Sequence, residues 1–375
     1  MTPLIKRTQL SALACLLLLP SVASADLFSP RINADSLGRA GAGAAFIGGP
    51  AAVLENPAGL PVRYTDEIEG NFEISIGISE APELYNPNQQ ADEFFSATNT
   101  TNFSGGLHLG TKNIGLALSA GYFGGELRNI PSDKKDETYY QDKNPIQNQY
   151  FGIGLGYNLL PEDWSTDLKL GVSYIFMPKT GSALVAGVQA KLIDTQRHSF
   201  SLGASNRSFS YSDKEELRSK YANYEKASMD LPSQTSLGAS WLIKGWKNSL
   251  HLAVDVKETD YSQVLHLQDL GATQGGNIYN SSGADVFSWS SALHNLDIYK
   301  SQHATLSWLT SEYGSWSLGY SQGNSETAGL DSTTLGISAH SREWGLGFQL
   351  QKLEKGDKSQ TINSLVFTYN PRSDS

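Results

Sequence analysis

The sequence predicts an all-β fold: a 14-stranded antiparallel transmembrane β-barrel with an N-terminal hatch (plug) segment inside the lumen. Three observations predict it. Apolar residues alternate with small or polar ones at period two along nearly the whole chain. No apolar run after Pro20 is long enough to cross a bilayer as a helix. The links between alternating segments are short and long by turns, as strands shuttling between two sides of a membrane require.

The first element is an export signal. Lys6 and Arg7 precede an apolar run, Leu10 to Leu19, and Ala23-Ser24-Ala25 supplies a small-residue cleavage site. Residues 1–25 are expected to be a cleaved signal peptide, with the mature chain starting at Asp26. Ala12-Leu13-Ala14-Cys15 loosely resembles a lipidation box, but it lies inside the apolar run with a better cleavage site behind it. Cys15 is the only cysteine. A mature chain without thiols suits an oxidising compartment and excludes a disulfide scaffold, a thiol nucleophile and a thiolate metal site. Removing Lys6 and Arg7 lowers the basic count from 28 to 26 against 38 acidic residues, a net charge of −12 that argues against nucleic acid as a partner.

Residues 26–66 do not alternate. They carry Ser36-Leu37-Gly38-Arg39-Ala40-Gly41-Ala42-Gly43 and then Asn56-Pro57-Ala58-Gly59-Leu60. Small residues at this density allow close backbone approach, and Asn-Pro favours a turn. Beside a barrel mouth, such a segment reads as a plug. A flexible tail, the other reading, would be richer in Lys, Glu or Gln.

The barrel is expected over 67–370, with a short tail at 371–375. Phe151-Gly152-Ile153-Gly154-Leu155-Gly156-Tyr157 has one apolar face and one glycine face. Leu250, Leu252, Val254 and Val256 alternate with His251, Ala253, Asp255 and Lys257. Strands are expected near 67–78, 102–111, 114–122, 149–158, 168–176, 183–193, 199–209, 233–242, 248–257, 302–311, 315–321, 332–340, 343–353 and 360–369. An even number places both termini on one side. A soluble sandwich could bury one such face, but segments of about 9–11 residues match a tilted bilayer crossing, and closure leaves no unpaired edge. Phe287 to Leu293 could form a fifteenth strand but is assigned to a loop, because it would break the alternation of sides.

Links near 112–113, 159–167, 194–198, 243–247, 312–314 and 341–342 are short and read as periplasmic turns. Those near 79–101, 123–148, 177–182, 210–232, 258–301, 322–331 and 354–359 include the long ones and read as extracellular. Trp164, Trp246, Trp316 and Trp344 lie in or beside the short turns, with Trp241 and Trp308 nearby. Indole favours a membrane interface, so this is a girdle weighted to one end.

Glu73, Lys169, Gln189, Lys191, Asp255 and Lys257 are placed on the lumen face with His108 and His251. They either bind the plug or line a solute path, and plug binding is preferred. An outer-membrane hydrolase would need a histidine, a serine and an orienting partner in contact. Serine is too common here for proximity to signify, so the histidines read as lumen-lining. No enzyme activity, cofactor or metal site is expected. Asp133 to Glu137 reads as a solvated charge run. Leu217, Tyr221 and Tyr224 fall on one helical face of a long loop, and Leu265, Leu267, Phe287 and Trp289 lie in another. Together they could form an extracellular patch that captures a greasy solute, or pack on one another to close the mouth.

The run 36–43 followed by Asn56-Pro57-Ala58-Gly59 resembles the N-terminal hatch of the FadL/TodX family of outer-membrane transport proteins. The match covers residues 35–61. It implies a fourteen-stranded barrel plugged by its N-terminal segment, in the outer membrane of a Gram-negative bacterium. The implied activity is passive uptake of long-chain fatty acids or other hydrophobic compounds, such as aromatic hydrocarbons. Gating would then involve Gly38, Arg39, Gly41, Gly43, Asn56, Pro57, Ala58 and Gly59. The implied partners are a hydrophobic small-molecule ligand, outer-membrane lipid, and the barrel-assembly and periplasmic chaperone machinery. The motif also resembles PorV-type secretion-associated and TraF-like barrels, which implies an interaction partner of secretion or conjugation machinery as the alternative. Two features depart from the family pattern, the first from its usual terminal aromatic and the second from its fatty-acid members, which tells against long-chain fatty acids specifically. Six polar residues follow Tyr369, and the loops lack an extended apolar helix pair.

Overall fold

A computed structural model describes residues 33–61, 69–82, 97–125, 146–160, 166–178, 181–211, 231–261, 278–279, 285–286, 297–310, 314–341 and 343–370. Fourteen strands form one closed antiparallel sheet. They are β1 (Glu69–Pro82), β2 (Ala97–Gly110), β3 (Ile114–Gly125), β4 (Ile146–Asn158), β5 (Asp167–Met177), β6 (Gly181–Asp194), β7 (His198–Tyr211), β8 (Ser233–Lys244) and β9 (Asn248–Asp260), then β12 (Ile298–Thr310), β13 (Gly314–Ser325), β14 (Leu330–His340), β15 (Trp344–Lys355) and β16 (Lys358–Tyr369). The intervening β10 (Ile278–Tyr279) and β11 (Asp285–Val286) pair only with each other, outside the barrel. β16 closes the barrel on β1, from Ile74↔Tyr369 to Ser79↔Ser364. Residues 287–293, weighed above as a fifteenth strand, lie outside the described residues.

All fourteen expected strands are present, and most run further toward the long-loop end. β7 reaches Tyr211, β9 Asp260 and β13 Ser325. The outward residues there are polar (Ser208, Ser210, Glu258, Gln322, Asn324), so the apolar alternation stops while the ladder continues. The links expected at 322–331 and 354–359 therefore shrink to turns at 326–329 and 356–357. Gly356, at φ 59°, takes the left-handed conformation that a two-residue hairpin needs.

Short turns at the other end share one device. Thr111, Thr195 and Ser341 each donate their backbone N–H to the carbonyl three residues on, at 2.7, 2.8 and 2.7 Å. Their hydroxyls accept the returning amides of Ile114, His198 and Trp344 at 3.2, 3.0 and 3.1 Å. A hydroxyl residue opening a four-residue turn thus satisfies the amide that the ladder leaves free.

Apolar side chains point outward: Phe151, Ile153, Leu155 and Tyr157 of β4 are all about half exposed, whereas glycine, serine, threonine and charged residues point inward. That inversion identifies a membrane-spanning barrel with a lipid-facing belt. Trp316, Trp344 and Trp246 are exposed at the short-turn end, and Trp344 stacks on Tyr369 with ring centroids 4.2 Å apart. Among the described residues, the ladder between β9 and β12 is the shortest of the barrel, formed by Ile298↔Asp260 and Tyr299↔Thr259. Below it, the Ser301 hydroxyl donates to the Lys257 carbonyl at 3.3 Å.

Candidate functional site

Residues 33–61 lie inside the barrel and trace a path around its inner wall. Asn33 starts the helix Ala34–Gly38 through a reciprocal box, its Oδ1 accepting the Ser36 amide at 2.8 Å and its own amide donating to the Ser36 hydroxyl at 3.4 Å. Ala40 (φ 49°) and Gly41 (φ 89°) turn the chain along the wall. Two 3₁₀ turns follow, Pro50–Val53 and Pro57–Gly59, and the second is capped by Asn56. Ala34, Ala52, Val53, Ala58 and Leu60 are fully buried.

The inward glycines are the seats of this segment. A β-carbon added at Gly171 would lie 2.1 Å from the Pro57 carbonyl carbon, one at Gly203 2.1 Å from the Ala44 carbonyl oxygen, and one at Gly336 2.0 Å from that of Leu37. Gly319 meets the Arg39 backbone in the same way, and Gly106 and Gly152 make room for the Pro50 and Val53 side chains. The glycine face that reads in the sequence as a small-residue lumen lining is thus a groove cut for a second backbone.

Wall side chains bind the backbone of the segment at nearly every point where no glycine does. Asp255 Oδ2 accepts the amides of Gly43 and Ala44 at 2.6 and 2.8 Å. Lys169 donates to the Pro61 carbonyl at 2.9 Å, Ser173 to that of Val53 at 2.5 Å, and Gln189 to those of Ala44 and Ile47 at 3.3 Å each. His303 Nδ1 and His108 Nε2 lie 2.5 and 2.6 Å from the carbonyls of Ala40 and Leu60, so those nitrogens carry the proton. Thr368 accepts the Ala34 amide at 2.9 Å, and Glu73 accepts from Asn33 Nδ2 at 3.0 Å. Asn56, wholly buried, donates to Ala44 at 2.6 Å and lies 3.2 and 3.3 Å from the wall carbonyls of Val188 and Ala204. It anchors the segment's own backbone to two strands of the wall, β6 and β7.

The two sides of the lumen differ. Toward the long-loop end of β4–β7, the inward residues Tyr150, Ile175, Met177, Ala183, Val185 and Phe209 form one apolar cluster with Ala51–Leu54 and Leu231. Across the barrel, β12–β14 present buried Ser301, His303, Ser321, Ser332 and Thr334. Within the segment lies a cavity of about 140 Å³, lined by Asn33, Asp35, Ser36, Arg39, Phe46 and Glu55 among others. Arg39 is held by Asp35 at 2.6 Å and stands 4.5 Å over the Phe46 ring. Enclosure pushes the Glu55 carboxyl above the ordinary carboxylate range; the Lys257 charge opposes this, Asp255 adds to it, and Arg39 opposes it again.

The polar residues read from the sequence as lumen-lining make varied contacts. Glu73, Lys169, Gln189 and Asp255 grip the inner segment. His251 packs edge-on against Phe46, ring centroids 4.5 Å apart. Lys257 is buried beside Gly41. Lys191 instead forms ion pairs within the wall, to Asp167 at 2.7 Å and Asp194 at 2.9 Å, and Asp194 continues to Lys244 at 2.5 Å. Gly38, Arg39, Gly41, Gly43, Asn56, Pro57, Ala58 and Gly59 all belong to the seated segment. Leu217, Tyr221, Tyr224, Leu265, Leu267, Phe287 and Trp289 lie outside the described residues. Sequence reading missed Ser173, His303, Thr368 and Arg207, whose Nη1 donates to the Leu54 carbonyl at 3.5 Å; all look like ordinary inward polar residues until the segment is in place.

No protein-family model matches the chain, and no curated protein matches its sequence. Solved structures do match in fold. The toluene transporter TbuX of Ralstonia pickettii is 11% identical, with a TM-score of 0.53 over 91% of this chain and 98% of its own. The CymD monoaromatic hydrocarbon channel is 12% identical, with a TM-score of 0.52 over 94% of this chain and 100% of its own. The Pseudomonas putida toluene transporter TodX is 11% identical, with a TM-score of 0.50 over 93% of this chain and 99% of its own. Fourteen strands closed around a seated inner segment therefore give this chain the fold of solved monoaromatic hydrocarbon channels.

Proposed function

We propose that this chain is an outer-membrane channel for passive uptake of small hydrophobic molecules, with aromatic hydrocarbons as the cargo class, and that residues 33–61 act as its hatch. The observation that carries this reading is the apolar sector at the long-loop end of β4–β7, where Ile175, Met177, Val185 and Phe209 face Val53 and Leu54. A channel for polar solutes has no use for a greasy strip inside its wall. Cargo would enter along that strip and move past the hatch tip. It would leave sideways where the ladder is shortest, between β9 and β12. Because wall side chains grip the hatch around its course, small local shifts suit it better than expulsion. The test is toluene entry into vesicles holding the purified protein. Wild type should accelerate entry, and Ile175→Asp or Val185→Asp should abolish that gain while the barrel stays folded. Entry no faster than in protein-free vesicles would sink the proposal.

The same grip supports a second reading, a sealed barrel that serves as a partner of secretion or conjugation machinery. Asp255, Lys169, Asn56 and Gln189 together close the lumen with polar contacts. Copurification of a stable stoichiometric partner, with no hydrocarbon entry, would favour it.

A further inference from the structure

The lipid-facing belt is not the same height all round. On β5 the outward apolar residues run from Leu168 to Phe176, eight residue steps, about 20 Å of bilayer at roughly 3.3 Å per residue and a tilt near 40°. On β14 they stop after Ala339, Ile337 and Leu335, four steps or about 10 Å, and Thr333 and Asp331 follow outward. The neighbours agree. β12 turns polar at Gln302, β13 at Gln322, β15 at Lys352 and β16 at Asn363. These five strands are adjacent in the barrel. Four of them, β12, β13, β14 and β16, carry belts of four steps, as β7 does up to Ala204, whereas β15 spans six, from Trp344 to Leu350, as do β8 and β9.

Lys352 and Glu354 form an ion pair at 2.6 Å with side chains 50% and 41% exposed, so this is an open outer face. Amides, hydroxyls and charges on an outer face cannot be satisfied by acyl chains. The strip continues the lipid-facing belt without a break, and its Lys300 and Lys352 are balanced by Asp331 and Glu354.

We infer that the β12–β16 sector is an interaction surface for lipid headgroups. The polar layer of the outer leaflet descends along it by about 10 Å, thinning the bilayer on one side of the barrel. A mixed-charge, amide-rich strip matches a headgroup layer with its water. The sector borders the β9–β12 seam, where the hydrogen-bonded ladder is shortest. The inference stands whether or not the protein transports anything.

Cysteine accessibility tests it directly, because no cysteine follows Cys15. Thr333 on β14 and Tyr174 on β5 both lie seven residues from the short-turn end of their strands, and Gln322 on β13 and Val256 on β9 both lie eight. Each of the four becomes a single cysteine, and labelling by a membrane-impermeant maleimide is read on the folded, heat-modifiable band only. Thr333→Cys and Gln322→Cys should label at least about tenfold faster than Tyr174→Cys and Val256→Cys, in cells and in phosphatidylcholine vesicles alike. Equal rates at all four positions would overturn the inference. So would fast labelling of Thr333→Cys and Gln322→Cys in vesicles with protection in cells, which would mean that a protein covers the sector.

Discussion

Asp255→Ala should loosen one stretch of the inner segment while leaving the barrel intact. In the native protein, Asp255 Oδ2 accepts the amides of Gly43 and Ala44 at 2.6 and 2.8 Å, in a region where Ala44 is only 4% exposed. Truncation leaves two buried donors without an acceptor, each costing about 1–3 kcal/mol. Taking the lower half of that range, the docked state loses about 3 kcal/mol, roughly a hundredfold in the equilibrium for local opening. The strands keep their ladders, so the loss is confined to contacts of the segment. Native-state hydrogen exchange followed by mass spectrometry reads this directly. Peptides covering residues 40–47 should lose about two orders of magnitude of protection, and those from β3, β5 and β14 should not change. Asp255→Asn, which keeps an acceptor oxygen without the charge, should fall between. If 40–47 keeps its protection in Asp255→Ala, the carboxylate is not the latch. If protection falls equally in the strands, segment and barrel open as one unit and the separation drawn here is wrong.

Further perturbations probe the same docking. Asn56→Ala strips the donor from three backbone carbonyls at a fully buried site and should destabilise docking by about 2–4 kcal/mol, read as exchange at residues 54–60. Gly203→Val places carbon where the Ala44 backbone sits and should displace residues 43–46, raising single-channel conductance in planar bilayers; unchanged conductance would show that the wall yields instead. Glu55 gives the docking a pH dependence whose sign is fixed. Its docked-state carboxyl titrates above the ordinary value of 4.5, so the docked form holds the proton longer than an undocked one. Docking is therefore strongest below the ordinary value and weakens as pH rises from there through the docked-state value. Glu55→Gln should flatten that slope in exchange measured across pH. Extending the β9–β12 register places Val254 opposite Ala304, so a disulfide between cysteines at these positions should stop hydrocarbon uptake if exit is lateral, and its reduction should restore it.

The barrel was legible because membrane strands write their pattern in each residue pair. Leu250 to Val256 alternates with His251 to Lys257 whatever lies elsewhere in the chain. Strand ends at the long loops were not legible, because outward Ser208 or Asn324 leaves no apolar mark although the backbone still pairs. The alternation marks Asp255 and Lys169, yet the groups they bind sit more than a hundred residues away, and no local spacing names Gly43 or Pro61. The inward glycines were visible as a periodic feature. Their reason was not, since a close approach of two backbones leaves only the absence of side chains as its trace. His303 and Thr368 were missed on the same account: the groups they bind are main-chain atoms, which every residue carries.

The seating of residues 33–61 also bears on how the molecule is assembled. The Ala34 amide is held by Thr368, 334 positions later, and the barrel closes only when β16 pairs with β1. The segment precedes every strand of the wall, yet its groove is complete only when the wall is nearly finished. A sheet that curls around the segment would bring Thr368 to Ala34 without threading the segment through a closed wall. The N-terminal segment is then a mandrel: Pro50 to Pro61 would set the curvature of β2–β7 before the remaining strands wrap over Ala34 to Ala45. A chain lacking it would have to find its diameter by strand pairing alone, a slower search among contacts of very long range.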